Sequence, residues 1–146
     1  MEDELIVREA RALDLASILD LARQGELLET GIAEAIDWFL VAVRHGQIIG
    51  TCGLEEHSGD GLLRTVVVDP KHSGQAVGRA LVEAALRRAR ERRLGSVYLL
   101  TTTAAPYFTA LGFEVAPRAA APRAIRDSWE FTTGCPASAV FMSRRP

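Results

Sequence analysis

The chain has 146 residues, 48% of them apolar and 25% charged, with a formal net charge of −2; this is the mix of one soluble globular domain with a real core. That balance excludes an electrostatic platform for nucleic acid or an anionic membrane, and no apolar run approaches the ~20 residues a bilayer span needs. Two cysteines, Cys52 and Cys135, and three histidines are scattered along the chain, so no zinc site or disulfide framework is expected and no metal is assigned.

The opening M-E-D-E-L-I-V-R is acidic and lacks the layout of a signal peptide, so a cytoplasmic protein is expected. Residues 5–8 read as a first strand. Asp14 is placed to cap a helix whose apolar face is Leu15, Ile18, Leu19 and Ala22, with Gly25 as its stop. Residues 33–37 read as a second short helix. Residues 39–44 and 47–54 flank His45-Gly46 as a hairpin; Ser58-Gly59-Asp60-Gly61 is the next turn, and 62–68 the strand after it.

The strongest helix follows. Val77, Leu81, Ala85 and Ala89 recur every four residues, joined by Val82 and Leu86, with Arg79, Glu83, Arg87 and Arg90 opposite and Gly95 as its end. The basic run between Arg87 and Arg93 reads as the solvated face. Residues 97–101 form a strand, and the long helical connection predicts that it lies parallel to strand 62–68. A helix at 106–111 capped by Thr103 and stopped by Gly112, a strand at 113–117, a helix at 122–127 and a strand at 137–142 complete a single α/β domain over residues 1–146.

Before the strong helix stands V68-D-P-K-H-S-G-Q-A-V-G-R-A-L81. Glycine costs helix stability, so Gly74 and Gly78 need a reason. One reading is a phosphate cradle of bare backbone amides at a helix N-terminus; the other is close helix–sheet packing. The Walker A and dinucleotide patterns are both absent. The residues alone leave the two readings level.

This stretch resembles the acetyl-CoA signature V-x-P-x-x-[QR]-G-x-G-[IV]-G-x-x-L of the GNAT N-acetyltransferase superfamily. The order of elements is similar over nearly the whole chain, and P106-Y-F-T-A-L-G-F113 resembles the second family marker, an aromatic four residues before Gly-Phe. More narrowly, L99-L-T-T-T103, F108-T-A-L-G-F113 and C135-P-A-S-A139 resemble the small acetyltransferases encoded beside arsenic-resistance genes, themselves similar to N-acetylglutamate synthase domains. The resemblance implies an α/β GNAT fold, with a mixed sheet of six to seven strands and helices on both faces. It implies acetyl-CoA as co-substrate, bound where the fourth and fifth strands splay apart, and direct attack by the amine of a small, amino-acid-like substrate. A role in arsenic or toxic-compound resistance and a homodimer paired through terminal strands come with it.

Carried over residue by residue, Ser73, Gly74, Gln75, Ala76, Val77, Gly78 and Arg79 hold the pyrophosphate. Val66, Val67 and Val68 pair with the pantetheine arm, and Thr102 is counted with them. Ser73 replaces the usual Gln or Arg and Ala76 the usual Gly, so weaker cofactor binding is expected. The aromatic position that is often a tyrosine acid is Phe108; Tyr107 is one residue earlier, about 100° round a helix. Where some members place a glutamate base, this chain has Leu62 and Leu63. Glu55, Glu56 or a water chain are the substitutes, the competing reading of the two glutamates being exposed hairpin carboxylates.

Strand alternation puts Arg64 on the side of Val66 and Val68. It either clamps a substrate carboxylate or pairs with Glu55 or Glu56. His57, Ser58 and Asp60 share a turn without a nucleophile elbow, so a hydrolase is set aside. The segment from Arg118 to Cys135, with Trp129 and Phe131, reads as a lid. Two other functions stay open: a non-catalytic acyl-CoA sensor, and an acetyltransferase for a protein or peptide amine.

Overall fold

The computed structural model describes residues 4–74, 76–134 and 136–146, so Gln75 and Cys135 of the sequence motifs lie outside the described residues. The chain opens with β1 (Ile6–Glu9) and α1 (Leu15–Gln24), then runs through a meander of β2 (Phe39–Arg44), β3 (Gln47–His57) and β4 (Asp60–Val68). Helix α2 (Val77–Glu91) crosses over to β5 (Val97–Thr101). Next come α3 (Ala105–Ala110), β6 (Glu114–Val115), α4 (Arg123–Arg126) and β7 (Val140–Arg144). The strands form one seven-stranded sheet of order β1-β2-β3-β4-β5-β7-β6. Its β4–β5 pair is parallel, as the helical crossover predicts, and the other pairings are antiparallel.

Left-handed residues make both hairpin turns: φ is 54° and 72° at His45 and Gly46, and 51° and 89° at Ser58 and Gly59. Such two-residue turns match the twist of the flanking strands. On one face of the sheet, α2 buries the predicted stripe of Val77, Leu81, Val82, Ala85, Leu86 and Ala89 against Leu40, Cys52, Leu54 and Leu63, and Phe108 of α3 joins them. On the other face, α1 packs Ile18 and Ala22 on Phe39 and Val41, and α4 packs Ile125 with Leu62 and Phe141. The fold is therefore a mixed sheet with helices on both faces. Among the described residues, no helix is long and apolar enough to cross a membrane.

Several local expectations are corrected. Asp14 precedes α1 but gives it no side-chain cap; its carboxylate takes the Arg8 guanidinium and the Arg11 N–H instead. Residues 33–37 form turns, with a tight helical turn only at Ile36–Trp38. Helix α2 ends before Gly95, because Arg93 already takes the left-handed conformation at φ 58°. The amide of Ala104, at the head of α3, donates to Thr101 Oγ1 rather than to Thr103. Strand β4 starts at Asp60, β6 is only Glu114–Val115, and β7 runs three residues later at its start than 137.

One irregularity matters most. Thr65, β-branched, sits at φ 53°, and the register shifts from Gly53 opposite Arg64 to Thr51 opposite Val67. This extra residue is a β-bulge, and it exchanges the two faces of the strand. Leu63, Val66 and Val68 all pack toward α2, whereas Arg64 turns to the α1 face, with its guanidinium 5.9 Å from the centre of the Phe39 ring. Arg64 therefore does not share a side with Val66 and Val68, because the alternation argument assumed an unbroken strand.

Candidate active site

Strands β4 and β5 pair only at Gly61 with Val97 and Leu62 with Tyr98. That end is pinned further by the Gly95 N–H on the Gly59 carbonyl at 2.8 Å and the Ser96 N–H on Asp60 Oδ1 at 3.0 Å. Beyond it the strands part and leave a cleft of about 490 Å³. Its walls include Leu63, Val66 and Val67 from β4 and Leu99 and Thr101 from β5, with Thr102 just beyond. Tyr107 and Phe108 of α3 close one side, and Leu27, Leu28, Arg64 and Glu130 close another. Of the predicted residues, Arg64, Val66, Val67, Thr102, Tyr107 and Phe108 thus meet in one place. Val68 faces α2 and lies outside that lining.

The glycine-bearing loop adjoins the cleft through Tyr107. Gly74 and Ala76 are left-handed, at φ 81° and 61°. The second value gives the physical reason why the signature prefers glycine at Ala76. Ala76 also begins α2 without a side-chain acceptor for the first-turn amides. A Cβ on Gly74 would meet nothing within 4 Å, so packing does not explain that glycine. At Gly78 the Cβ position is filled by the Tyr107 hydroxyl, so packing does explain this one. Val77 is core, and Arg79 is exposed with Glu83 at 3.9 Å. Ser73 stands between Pro70–His72 and this loop and completes the run.

Tyr107 is 43% exposed, and burial raises its hydroxyl pKa against the opposing charge of Arg79. Phe108 instead belongs to the core, edge-on to both Tyr107 and Phe113. The aromatic pair therefore divides its work: Phe108 packs, while Tyr107 puts a hydroxyl at the mouth of the cleft and the start of α2.

At the other end lies a buried charge cluster. The Arg64 guanidinium is 7% exposed and donates to Glu55 Oε2 at 3.0 Å, Glu130 Oε1 at 3.1 Å, the Thr30 carbonyl at 3.0 Å and Thr65 Oγ1 at 3.1 Å. Arg64 thus makes the expected ion pair with Glu55 and a second one with Glu130. Glu55 is buried, which corrects its reading as an exposed hairpin carboxylate, and it also pairs with His57 Nε2 at 2.9 Å. Glu56 pairs with Arg92 instead. Burial raises the Glu55 pKa, but hydrogen bonds from His57 and Arg64 outweigh it and hold the carboxyl below its ordinary value. For Glu130, burial and then the charge of Glu55 push the carboxyl up to about 7. The hydrogen bond to Glu55 raises the His57 pKa.

Two features of the cleft are not legible in the sequence. Thr65 carries no local sign of a bulge, since threonine favours regular strands. Glu130 lies between Trp129 and Phe131 in the segment read as a lid, on a wide helical turn (Glu130–Gly134) without usable periodicity. Only the tertiary fold brings it to Arg64.

The profile of the acetyltransferase (GNAT) domain matches residues 35–115. An amino-acid acetyltransferase of Mycobacterium tuberculosis is 35% identical over 106 residues, covering 66% of this chain and 61% of that protein. One from Pseudomonas fluorescens is 33% identical over 117 residues, covering 74% of this chain and 27% of that protein. The chain thus spans less than two thirds of the length of these curated relatives. Among solved structures, Neisseria gonorrhoeae N-acetylglutamate synthase, complexed with coenzyme A and N-acetyl-glutamate, superimposes with a TM-score of 0.87 over 99% of this chain and 36% of that one. At 21% identity this likeness shows a shared fold. A Mycobacterium tuberculosis protein solved with CoA gives a TM-score of 0.82 at 26% identity, over 97% of this chain and 99% of that one.

Proposed function

The chain belongs to the acetyltransferase (GNAT) domain family, and from that premise we propose that residues 1–146 act as a single domain that transfers acetyl from acetyl-CoA to the amine of a small, amino-acid-like substrate. The observation that carries this reading is the cleft where β4 and β5 part, flanked by a left-handed loop and an uncapped start of α2. The amino-acid acetyltransferases among its relatives support the substrate class.

Each part of the site has a job in this reading. The amides of Ser73 and Gly74 and those from Ala76 to Arg79 face the pyrophosphate with the partial positive charge of the helix start. Parted from β5, the edge of β4 beyond Leu62 offers main-chain groups to the pantetheine arm, and Val66 and Val67 line its path. Acetyl-CoA supplies an acyl group already activated as a thioester. Tyr107 places a hydroxyl beside that path, available to the leaving thiolate. Arg64 in the cleft wall and Glu55 behind it act through the charge they impose on Glu130.

The test has two stages. Coenzyme A is expected to raise the melting temperature of the protein. Thiol release from acetyl-CoA is then screened against the amino acids, simple amines, short peptides and toxic amino-acid analogues, arsenic-containing ones included. Turnover with free amino acids or their analogues supports the proposal. Acetylation of peptides alone, or CoA binding without any turnover, replaces it with a peptide acetyltransferase or an acyl-CoA sensor.

A further inference from the structure

Glu130 is delivered to the cleft by the segment after α4, where it is only 9% exposed. Its Oε1 accepts a hydrogen bond from Arg64, whereas its buried Oε2 has no hydrogen-bond partner. A buried carboxylate oxygen without a donor is costly to keep, so it marks a place where a donor is expected to come and go. We propose that Oε2 of Glu130 receives the ammonium group of the acceptor and takes one of its protons, which makes Glu130 the general base of the acetyl transfer. The proposal rests on the reading of the cleft given above.

The groups around Glu130 suit the role. Glu55 and His57 from β3 and Arg64 from β4 are the titratable groups that meet it. One oxygen of each carboxylate and a ring nitrogen of His57 fall within 4.8 Å of one another. A metal ion is disfavoured there, because Nη1 of Arg64 donates to both carboxylates and brings a fixed positive charge. The cluster instead leads away from the cleft: Glu130, Glu55, then His57, whose side chain is 22% exposed. His57 borders a surface depression shared with Ser58, Asp60 and Asp127. A proton taken at the cleft thus has a route to solvent that avoids the cofactor side.

The chemistry balances. Glu130 removes one proton from the acceptor ammonium and leaves a neutral amine. The amine nitrogen forms a bond to the thioester carbon, the C–S bond breaks, and its electron pair leaves on sulfur. The second nitrogen proton ends on the thiolate, giving an amide and a free thiol. Glu130 returns its own proton to solvent through Glu55 and His57. A carboxyl held near 7 by burial and by Glu55 can both accept and release a proton under neutral conditions.

Glu130→Gln keeps the shape of the side chain and removes its basicity. With the best amine from the screen, kcat/KM is expected to fall by roughly 100- to 1,000-fold. The acidic limb of the wild-type pH profile should vanish, while the rise in melting temperature with coenzyme A persists. Independently of turnover, infrared difference spectra of the wild type should show a carboxyl band that titrates near neutrality and is missing in Glu130→Gln. An unchanged pH profile in the variant, or a Glu130 carboxyl that stays ionised from pH 5 upward, overturns the proposal. Wild-type protein that binds coenzyme A but acetylates no amine overturns the transferase reading itself, and the base with it.

Discussion

The Tyr107 hydroxyl occupies the space that a Cβ on Gly78 would fill, so α3 and the first turn of α2 touch across the mouth of the cleft. That contact couples the two sequence markers physically. It also explains why Gly78 bears no side chain even though alanine is the better helix former.

Gly78→Ala therefore sets two effects against each other. The added methyl helps the helix by up to about 1 kcal/mol, while the half-exposed Tyr107 ring must swing away. Stability should change by less than about 1 kcal/mol, but affinity for coenzyme A should fall at least tenfold, because Tyr107 and the methyl now crowd the approach to the loop. Calorimetric titration measures the affinity, and Gly78→Ala combined with Tyr107→Ala should recover part of it. Unchanged affinity in the single variant would show that the loop amides near Gly78 do not meet the ligand.

Arg64 donates to two buried carboxyl groups at once. Removing the guanidinium in Arg64→Met leaves both without their cation, a loss expected to be on the order of 3 to 5 kcal/mol at pH 8. The sign with pH follows from Glu55, whose folded pKa is depressed in the wild type: its stabilisation is present above the unfolded value and lost as pH falls. Without Arg64 both carboxyls shift upward and oppose folding once ionised. The stability gap between wild type and Arg64→Met, read from urea denaturation, should therefore widen between pH 5 and pH 8. A gap independent of pH would contradict this account.

Arg8 and Asp14 anchor the other edge of the sheet through a forked contact of 2.8 and 3.2 Å. The hydrogen bond from Arg8, helped by the Arg11 N–H, lowers the Asp14 pKa against the effect of burial. A depressed carboxyl stabilises above its unfolded pKa and stops doing so as pH falls through its folded one. Asp14→Asn should cost about 1 to 2 kcal/mol at pH 7, and the difference from wild type should be smaller at pH 3. Denaturant midpoints at the two pH values decide the matter.

How much of this was legible in the sequence depends on the range of the forces involved. The stripe from Val77 to Ala89 and the turns at His45-Gly46 and Ser58-Gly59 are set by neighbours a few residues apart, and all were readable. The loop around Gly74 was readable as a motif. The faces of β4 were not, because the Thr65 bulge appears only in the register of β4 against β3, where Gly53 stands opposite Arg64 and Thr51 opposite Val67. The same holds for Glu55: a carboxylate in a hairpin looks solvated until an arginine and a histidine are found against it. Glu130, sixty-six positions from Arg64 along the chain, was beyond local reasoning altogether.

The short β4–β5 pairing has a mechanical consequence. The two halves of the sheet are joined at one end, by the rungs at Gly61 and Leu62 and by the Gly95–Gly59 and Ser96–Asp60 hydrogen bonds beside them. The core on the α2 face joins both halves, Leu54 and Leu63 with Leu99 and Met142, so packing as well as pairing holds the gap at its width. The far half, β5 with β7 and β6, is tied together by its own antiparallel ladders. A guest therefore meets an opening already built into the sheet and need not part any paired strands to enter.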